Sequence, residues 1–528
     1  MSAAREERTG RGALHVGAGI LGSRLVGLIR QRALAHYLGL TFAADAFNAA
    51  FRIPNFLQNL FGEGVLSASF IPVYARLLAD GDEEAAGRTA GAVLGLLALA
   101  TAVLVLVGML ATPLLIGVIA PGFTGEKRDL TIFLVRVLFP GAGLLVLSAW
   151  CLGVLNSHRR FLLSYSAPII WNVAIIVALI ISGGRAAPPA LAIAAATGSV
   201  VGSALQLLVQ VPTVGRLVPH LVLSLGRGSA NVRIVVANFI PVFVGRGVVQ
   251  ISAYIDTVIA SFLPGGAVAA LASAQVLYTL PVSLFGMSVS AAELPAMSSA
   301  TGSSTEVADA LRGRLSVGLR RIAFLVVPSA VAFVALGDIV AGALFQTGRF
   351  THDDVLYVWG ILAGSAVGLL ASTLGRLYSS AYYAMRDTRT PLRFAVLRVL
   401  LTTALGVIFA LPLPRLLGVE PRWGAAGLTA SAGIAGWVEF LLLRRGLAAR
   451  IGSAGIQVRF LATLWGAALI AAAGAWGLKL VFVGTGPIVL AALTLIPFGL
   501  AYFGLTAAAG VGESRAVLSR AARLLRGG

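Results

Sequence analysis

Polar residues along this chain neither alternate with apolar ones nor recur every third or fourth position. They gather in short clusters between apolar runs of roughly twenty residues or more, the length that crosses a bilayer as a helix. Such runs fall at 13–37, 44–75, 89–119, 129–156, 161–183, 188–214, 234–262, 267–299, 318–345, 355–384, 391–412, 423–443, 460–482 and 486–508. The breaks carry Gly, Pro and charge, as at Pro121-Gly122, Gly183-Gly184, Pro264-Gly265-Gly266 and Gly484-Thr485-Gly486. The pattern predicts an all-α polytopic membrane protein of about fourteen transmembrane helices. Beyond the last run, 511–526 places Val517, Leu518, Ala521, Leu524 and Leu525 on one stripe with arginines around the rest, which predicts an amphipathic helix on the cytoplasmic membrane surface.

Composition agrees: of 528 residues, 58% are apolar and 12% charged. The formal net charge of +19 is that of many nucleic-acid binders, so the location of the charges decides its meaning. Placed on the span pattern, basic clusters at Arg76 and Arg88, Arg159 and Arg160, Arg216 to Arg233, Arg312 to Arg321, Arg386 to Arg398 and Arg444 to Arg459 share one face with both tails. The opposite face holds only Lys127, Arg128, Arg185, Arg349, Arg415 and Arg422. Because basic loops stay cytoplasmic, both termini are expected in the cytoplasm and no nucleic-acid partner is needed. Arg24 and Arg30 interrupt the first run, which reads as a retained helix rather than a signal peptide. Cys151 is the only cysteine, so no internal disulfide or thiolate cluster can form.

A few charged residues stay inside the spans, where each costs several kcal/mol, about 2.5–3.5 by insertion scales, unless it meets a cavity or a partner. In "SRLVGLIRQR" Arg24 lies about eleven residues from either helix end, too deep to snorkel; Arg30 is intermediate and Arg32 reads as a helix-end residue. The second run contains Asp45, Arg52, Asn55, Gln58, Asn59 and Glu63; positions 45, 52, 55, 59 and 63 fall on one helical face. That stripe is expected to face water, a substrate or the first helix, with Asp45 or Glu63 pairing an arginine there or acting as a gate. Arg246 and Asp256 lie in the seventh run, about 80° apart on the wheel, and therefore need different neighbours. Glu293 reads as a helix-end residue, while Arg136 and Lys479 are expected to snorkel or pair locally.

Catalytic constellations are not evident. His15, His36, His158, His220 and His352 never stand at i, i+4, and there is no P-loop, no GxSxG elbow and no aspartate-rich Mg²⁺ motif. No metal, cofactor or enzymatic activity is expected. Several arginines at depth do make an anion site, and the guanidinium fork suits phosphate or diphosphate. A cationic cavity surrounded by lipid suits an amphiphile with an anionic head.

The block 23–78, "SRLVGLIRQRALAHYLGLTFAADAFNAAFRIPNFLQNLFGEGVLSASFIPVYARLL", resembles the start of the MurJ (MviN) lipid II flippases of the multidrug/oligosaccharidyl-lipid/polysaccharide exporter superfamily. "DTVIASFLPGGAVAAL", "LYTLPVSLFGMSVSAAELPAMS" and "YYAMRDTRTPLR" follow in the family's order. The resemblance implies two helical bundles, 13–214 and 234–443, around a central cavity, and two additional helices within 460–508 that make a groove for a lipid tail. It also implies outward translocation of an undecaprenyl-diphosphate-linked disaccharide-pentapeptide across the bacterial cytoplasmic membrane, with membrane lipids and cell-wall synthesis machinery as partners. Arg24, Arg30 and Asp45 match cavity positions of the family, and Arg52 matches a basic one. Two departures stand out: a basic position of the second helix is Gln58, and the Asp-Arg pair of the eighth is Gln275-Val276. Arg246 is the candidate to supply the missing charge.

The sequence thus leads to a lipid II flippase working by alternating access. Arg24, Arg30, Arg52 and Arg246 are expected to hold the diphosphate, Asp45, Glu63 and Asp256 to gate or pair, and Asn55, Gln58 and Asn59 to line the cavity. A flippase for another polyprenyl-diphosphate-linked oligosaccharide is the alternative; a cation-coupled drug exporter fits a basic cavity less well. A membrane enzyme would need clustered acids or an activated nucleophile, and a non-transporting scaffold is a further alternative.

Overall fold

The computed structural model describes the backbone at residues 2–184, 186–226, 228–252, 254–299, 303–517 and 519, and the side chains there except those of 2–18, 20, 54, 63, 244–252 and 304. Helices account for nearly all of it, with no β-strand among the described residues. The chain folds as two compact units, one of residues 1–269 with 347–349, the other of 270–346 with 350–528.

The first unit contains α1 (Ser2–Leu38), α2 (Phe42–Phe61), α3 (Glu63–Ala79), α4 (Glu83–Leu110), α5 (Thr112–Ile119), α6 (Gly125–Ser157), α7 (Phe161–Ser182), α8 (Pro188–Leu217), α9 (Ala230–Ser252) and α10 (Ile255–Ser261). The long α6 is its centre, packed by α2, α4 and α8, while α1 lies chiefly on α7. Local chemistry sets the starts: the Thr41 hydroxyl accepts the Ala44 N–H and the Asp82 carboxylate accepts that of Ala85, each filling a donor the first helical turn leaves open.

The apolar run at 44–75 is not one continuous helix. It breaks at Gly62, whose φ of −80° and ψ of −160° are extended, and a Cβ there would stand 2.1 Å from the Gln58 carbonyl oxygen. Only glycine fits beneath that curled last turn of α2, so the polar stripe predicted through Glu63 ends at Asn59. The run at 89–119 likewise divides into α4 and α5, and that at 234–262 into α9 and α10.

The second unit comprises α11 (Ala267–Pro281) from Ala270 onward, α12 (Ser288–Ser298), α13 (Ser304–Ala335), α14 (Gly337–Phe345), α15 (His352–Ala384), α16 (Arg389–Ala410), α17 (Pro412–Leu416), α18 (Gly424–Ile451), α19 (Val458–Val481) and α20 (Pro487–Ala508). A π-helical turn, Val282–Met287, joins α11 to α12 just after Pro281, the wider winding that proline and local strain favour. Capping boxes, Ser303 with Glu306 and Thr351 with Asp354, start α13 and α15. Between α15 and α16, Asp387 accepts hydrogen bonds from Thr390 and pairs with Arg450 at 2.8 Å. Those bonds, Thr390's foremost, hold the Asp387 carboxyl well below the usual carboxylate range.

Helix α15 is the buried axis of this unit, against α13 and α18. It meets α18 backbone to backbone: a Cβ on Gly368 would lie 2.4 Å from the Gly433 Cα. Small residues permit such an approach, and in lipid close packing of this kind replaces the hydrophobic drive available in water.

Eleven of the described helices or helix runs are long and apolar enough to span a bilayer, and the chain is an integral membrane protein. The Gly368–Gly433 crossing gives a direct test. Gly433→Leu should force the two helices apart, with overpacking costing about 1–3 kcal/mol, and lower the thermal midpoint of the detergent-purified protein. An unchanged midpoint would contradict the crossing.

Candidate functional site

The charges of the first unit fall into separate settings along α1 and α2. Asp45, in the first turn of α2, has no exposed side-chain surface. Its Oδ2 accepts from Lys127 Nζ at 2.5 Å and from the Gly266 N–H at 2.7 Å, and its Oδ1 accepts the Ala269 N–H at 2.8 Å. The carboxylate therefore caps the N-terminus of α11 and pairs with the first turn of α6, satisfying open helix donors and complementing the helix dipole. Asp45 pairs with Lys127, not with an arginine of α1 as the sequence suggested. Neighbouring connections close the same end of the unit: Ser261 Oγ accepts the Gly122 N–H at 3.0 Å, and the His36 carbonyl accepts that of Arg349 at 2.9 Å.

Arg30 occupies an aromatic cage. Its guanidinium carbon lies 5.0 Å from the Trp171 ring centroid and 5.6 Å from that of Phe51, and the two rings stack at 5.6 Å and 15°. The indole is fixed in turn, its Nε1 donating to the Ser199 hydroxyl at 3.1 Å and to the Ser199 carbonyl at 3.2 Å. Arg30 Nε is buried without an acceptor among the described residues. The stacked pair, with the guanidinium beside both rings, holds the cation by the ring quadrupoles, worth about 2 kcal/mol where water is excluded, but supplies no hydrogen-bond acceptor. The cage thus orients a guanidinium whose hydrogen-bonding capacity stays available to an anion.

Arg52, two turns beyond Asp45 along α2, is within electrostatic range of Asp256 at the start of α10, and Tyr254 donates to the Arg52 carbonyl at 2.7 Å. Arg24 stands on an exposed face of α1, and Asn55 is half-buried. Gln58 and Asn59 open onto a cavity of about 430 Å³ inside this unit, shared with Ser67, Ser148 and Gln206. The side chains of Glu63 and Arg246 lie outside the described residues. Asp45 and Asn59, on one face of the helical wheel, are about 20 Å apart along the axis. Rather than converging on one ligand, the stripe serves in turn a helix cap, an ion contact and a cavity.

In the second unit, Gln275 is exposed and donates to Thr279 at 3.1 Å on its own helix. Glu293 is buried against Arg321 at 3.2 Å and Arg314 at 3.9 Å. Lys479 pairs with Asp338 at 2.5 Å, and in the first unit Arg136 donates to the Met109 carbonyl at 3.3 Å, so both find the local partners expected of them. A groove of about 350 Å³ runs between α11, α13 and α20, lined by Leu280, Leu284, Pro328, Phe333, Phe498 and Tyr502. Among the described residues no group of histidines, cysteines and carboxylates is arranged to hold a metal.

Sequence reasoning passed over Phe51, Trp171 and Lys127 as partners. The aromatics looked like ordinary apolar positions and Lys127 like an outer-loop charge; a lysine opposite a lone intramembrane acid was the available signal. Ser148 and Gln206 are single polar residues within otherwise apolar helices and carried none.

A helical membrane protein in two units, with a caged cation on one and an apolar groove on the other, belongs among the helical transporters. Solved structures agree in fold: the chain is similar to a lipid II flippase MurJ in an inward closed conformation (TM-score 0.75, 23% identity, 93% of this chain and 97% of that one). It is also similar to an inward-facing multidrug resistance MATE transporter of the MOP superfamily (TM-score 0.65, 20% identity, 81% and 95%). The family model "Lipid II flippase MurJ" matches residues 34–496. The lipid II flippase MurJ of Burkholderia cenocepacia is 32% identical over 515 residues, 94% of this chain and 96% of that protein. A probable lipid II flippase MurJ of Rhizobium tropici is 33% identical over 434 residues, 81% and 79% respectively. The chain belongs to the MurJ lipid II flippase family.

The Asp45 cluster yields a stability prediction. Asp45→Asn should leave Lys127 without its carboxylate and cost about 3–5 kcal/mol, as breaking one side of a buried pair does, read as a lower thermal midpoint. Adding Lys127→Met should restore part of the loss. If the double variant is no more stable than the single one, the pair is not what holds this end together.

Proposed function

We propose that this protein moves lipid II, the undecaprenyl-diphosphate-linked peptidoglycan precursor, from the inner to the outer leaflet of the bacterial cytoplasmic membrane by alternating access. One observation carries the reading beyond family membership. Arg30 is held by Phe51 and Trp171 with a buried donor that meets no acceptor among the described residues, which is how a protein keeps a cation ready for a phosphoryl oxygen inside a membrane.

In this reading Arg30 receives the diphosphate, with Arg24, Arg52 and Arg246 as further cations of the substrate cavity. Asp256 competes for Arg52 and helps return the empty carrier. Asp45 sets the geometry of α2 through its cap on α11, a positioning role. The apolar groove beside α20 takes the polyprenyl tail, which keeps the hydrocarbon in an apolar setting while the head crosses. The basic loops orient fourteen spans with both termini in the cytoplasm. Translocation involves no covalent chemistry on the substrate, so the protein acts as a transporter and not as an enzyme. Charged cavity groups sense the membrane potential, worth about 2.3 kcal/mol per elementary charge per 100 mV, and that field or an ion gradient drives the cycle.

Depleting the protein should leave lipid II in the inner leaflet, as read by a leaflet-specific probe in cells lacking another flippase; undiminished appearance outside would reject the assignment. Arg30→Ala should abolish rescue of depleted cells while abundance and membrane insertion hold. Trp171→Ala, which removes one wall of the cage, should reduce rescue less severely.

A further inference from the structure

The cavity beside Gln58 has a different chemistry from the arginine cage. Gln58, Asn59, Ser67, Ser148 and Gln206 supply its polar lining, with no Lys, Arg, Asp or Glu among the described residues around it. A buried chain of hydrogen bonds runs from its lining into the bundle: Gln206 Nε2 donates to Ser148 Oγ at 2.9 Å, and Ser148 Oγ donates to Gln210 Oε1 at 3.2 Å. Gln206 Oε1 and Gln210 Nε2 have no partner among the described residues. Whichever way each carboxamide is turned, one polar atom of each is left over. Gln206 and Gln210 are 6% and 0% exposed, so these atoms sit where an unmet hydrogen bond is most costly.

A cavity lined without charged side chains among the described residues suits neither an inorganic cation nor a phosphate. Its open amide and hydroxyl atoms match a ligand carrying both donors and acceptors, and its volume lies within the range of about 300–1,000 Å³ typical of small-molecule sites. Its position is also informative. Gln58 follows Phe51 by two helical turns on one face of α2, and Pro168, which lines the cavity, lies one turn before Trp171 on α7. The neutral cavity is thus displaced about 10 Å along α2 from the ring that holds Arg30.

We infer that this cavity binds the uncharged saccharide of the head group, through its hydroxyl and acetamido groups, while Arg30 holds the adjoining diphosphate. The inference rests on the lipid II reading and assigns to Ser67, Ser148 and Gln206 a part in substrate selection, with Gln210 positioning Ser148 from behind. It also gives the neutral residue at Gln58 a purpose: an amide at the mouth meets a sugar where a guanidinium would meet a phosphate.

The test uses the full-length protein in lipid nanodiscs and two ligands that share tail and diphosphate, lipid II and undecaprenyl diphosphate. Gln206→Leu should weaken lipid II binding about five- to tenfold, the loss of one or two neutral hydrogen bonds, and leave undecaprenyl diphosphate unchanged. Asn59→Ala, at an exposed position that does not endanger folding, should act in the same direction. If both variants hold lipid II as tightly as the unaltered protein, or lose both ligands equally, the saccharide site is refuted. If the unaltered protein binds neither ligand, the flippase reading falls and the subsite with it.

Discussion

A carboxylate sealed from solvent must be neutralised on the spot, and Asp45 meets that demand with groups drawn from distant parts of the chain. The lysine comes from the first turn of α6 and the two backbone donors from the entry to α11. An acid in the first turn of one helix thereby fixes the starts of two others. The placement of α2, and with it of Arg52, Phe51 and Gln58, follows from satisfying this one charge. The same low-dielectric surroundings that make the pair strong make either partner costly alone, which explains why so polar a cluster stands at the end of an otherwise apolar bundle.

Arg30 solves the burial of charge differently. Aromatic faces stabilise it without consuming its donors, so the guanidinium is at once tolerated by the protein and available to a ligand. Two charges on neighbouring helices therefore have opposite roles, one saturated and one held in reserve. The distinction lies in hydrogen-bond satisfaction, which burial alone does not reveal.

Much of this was legible in the sequence because membrane constraints are coarse and one-dimensional: span length and Gly/Pro punctuation depend on local composition. The helical class and most helix positions followed from such signals, and the family from the resemblance of block 23–78 and the later segments. The break at Gly62 did not, since its cause is a close approach to the Gln58 carbonyl that no hydropathy window contains. Nor did the separation of the polar stripe on α2. A helical wheel discards distance along the axis, and Asp45, Arg52 and Asn59 meet different neighbours as the helix passes them. The partners of Asp45 and the ring on α7 that holds Arg30 lie tens of residues or more away, a long-range pairing that periodicity does not encode. Arg30 itself was identifiable, because an arginine within an apolar run already stands out as a cost requiring compensation.

The two last helices of the second unit are fastened at several points. Arg320 joins Glu513 at 2.8 Å and lies 4.0 Å from the Phe460 ring centroid near one end of α19, Lys479 grips Asp338 near the other, and the Tyr502 hydroxyl donates to the Phe324 carbonyl between them at 2.7 Å. A groove wall held at so many points resists widening and cannot mould itself to whatever chain enters.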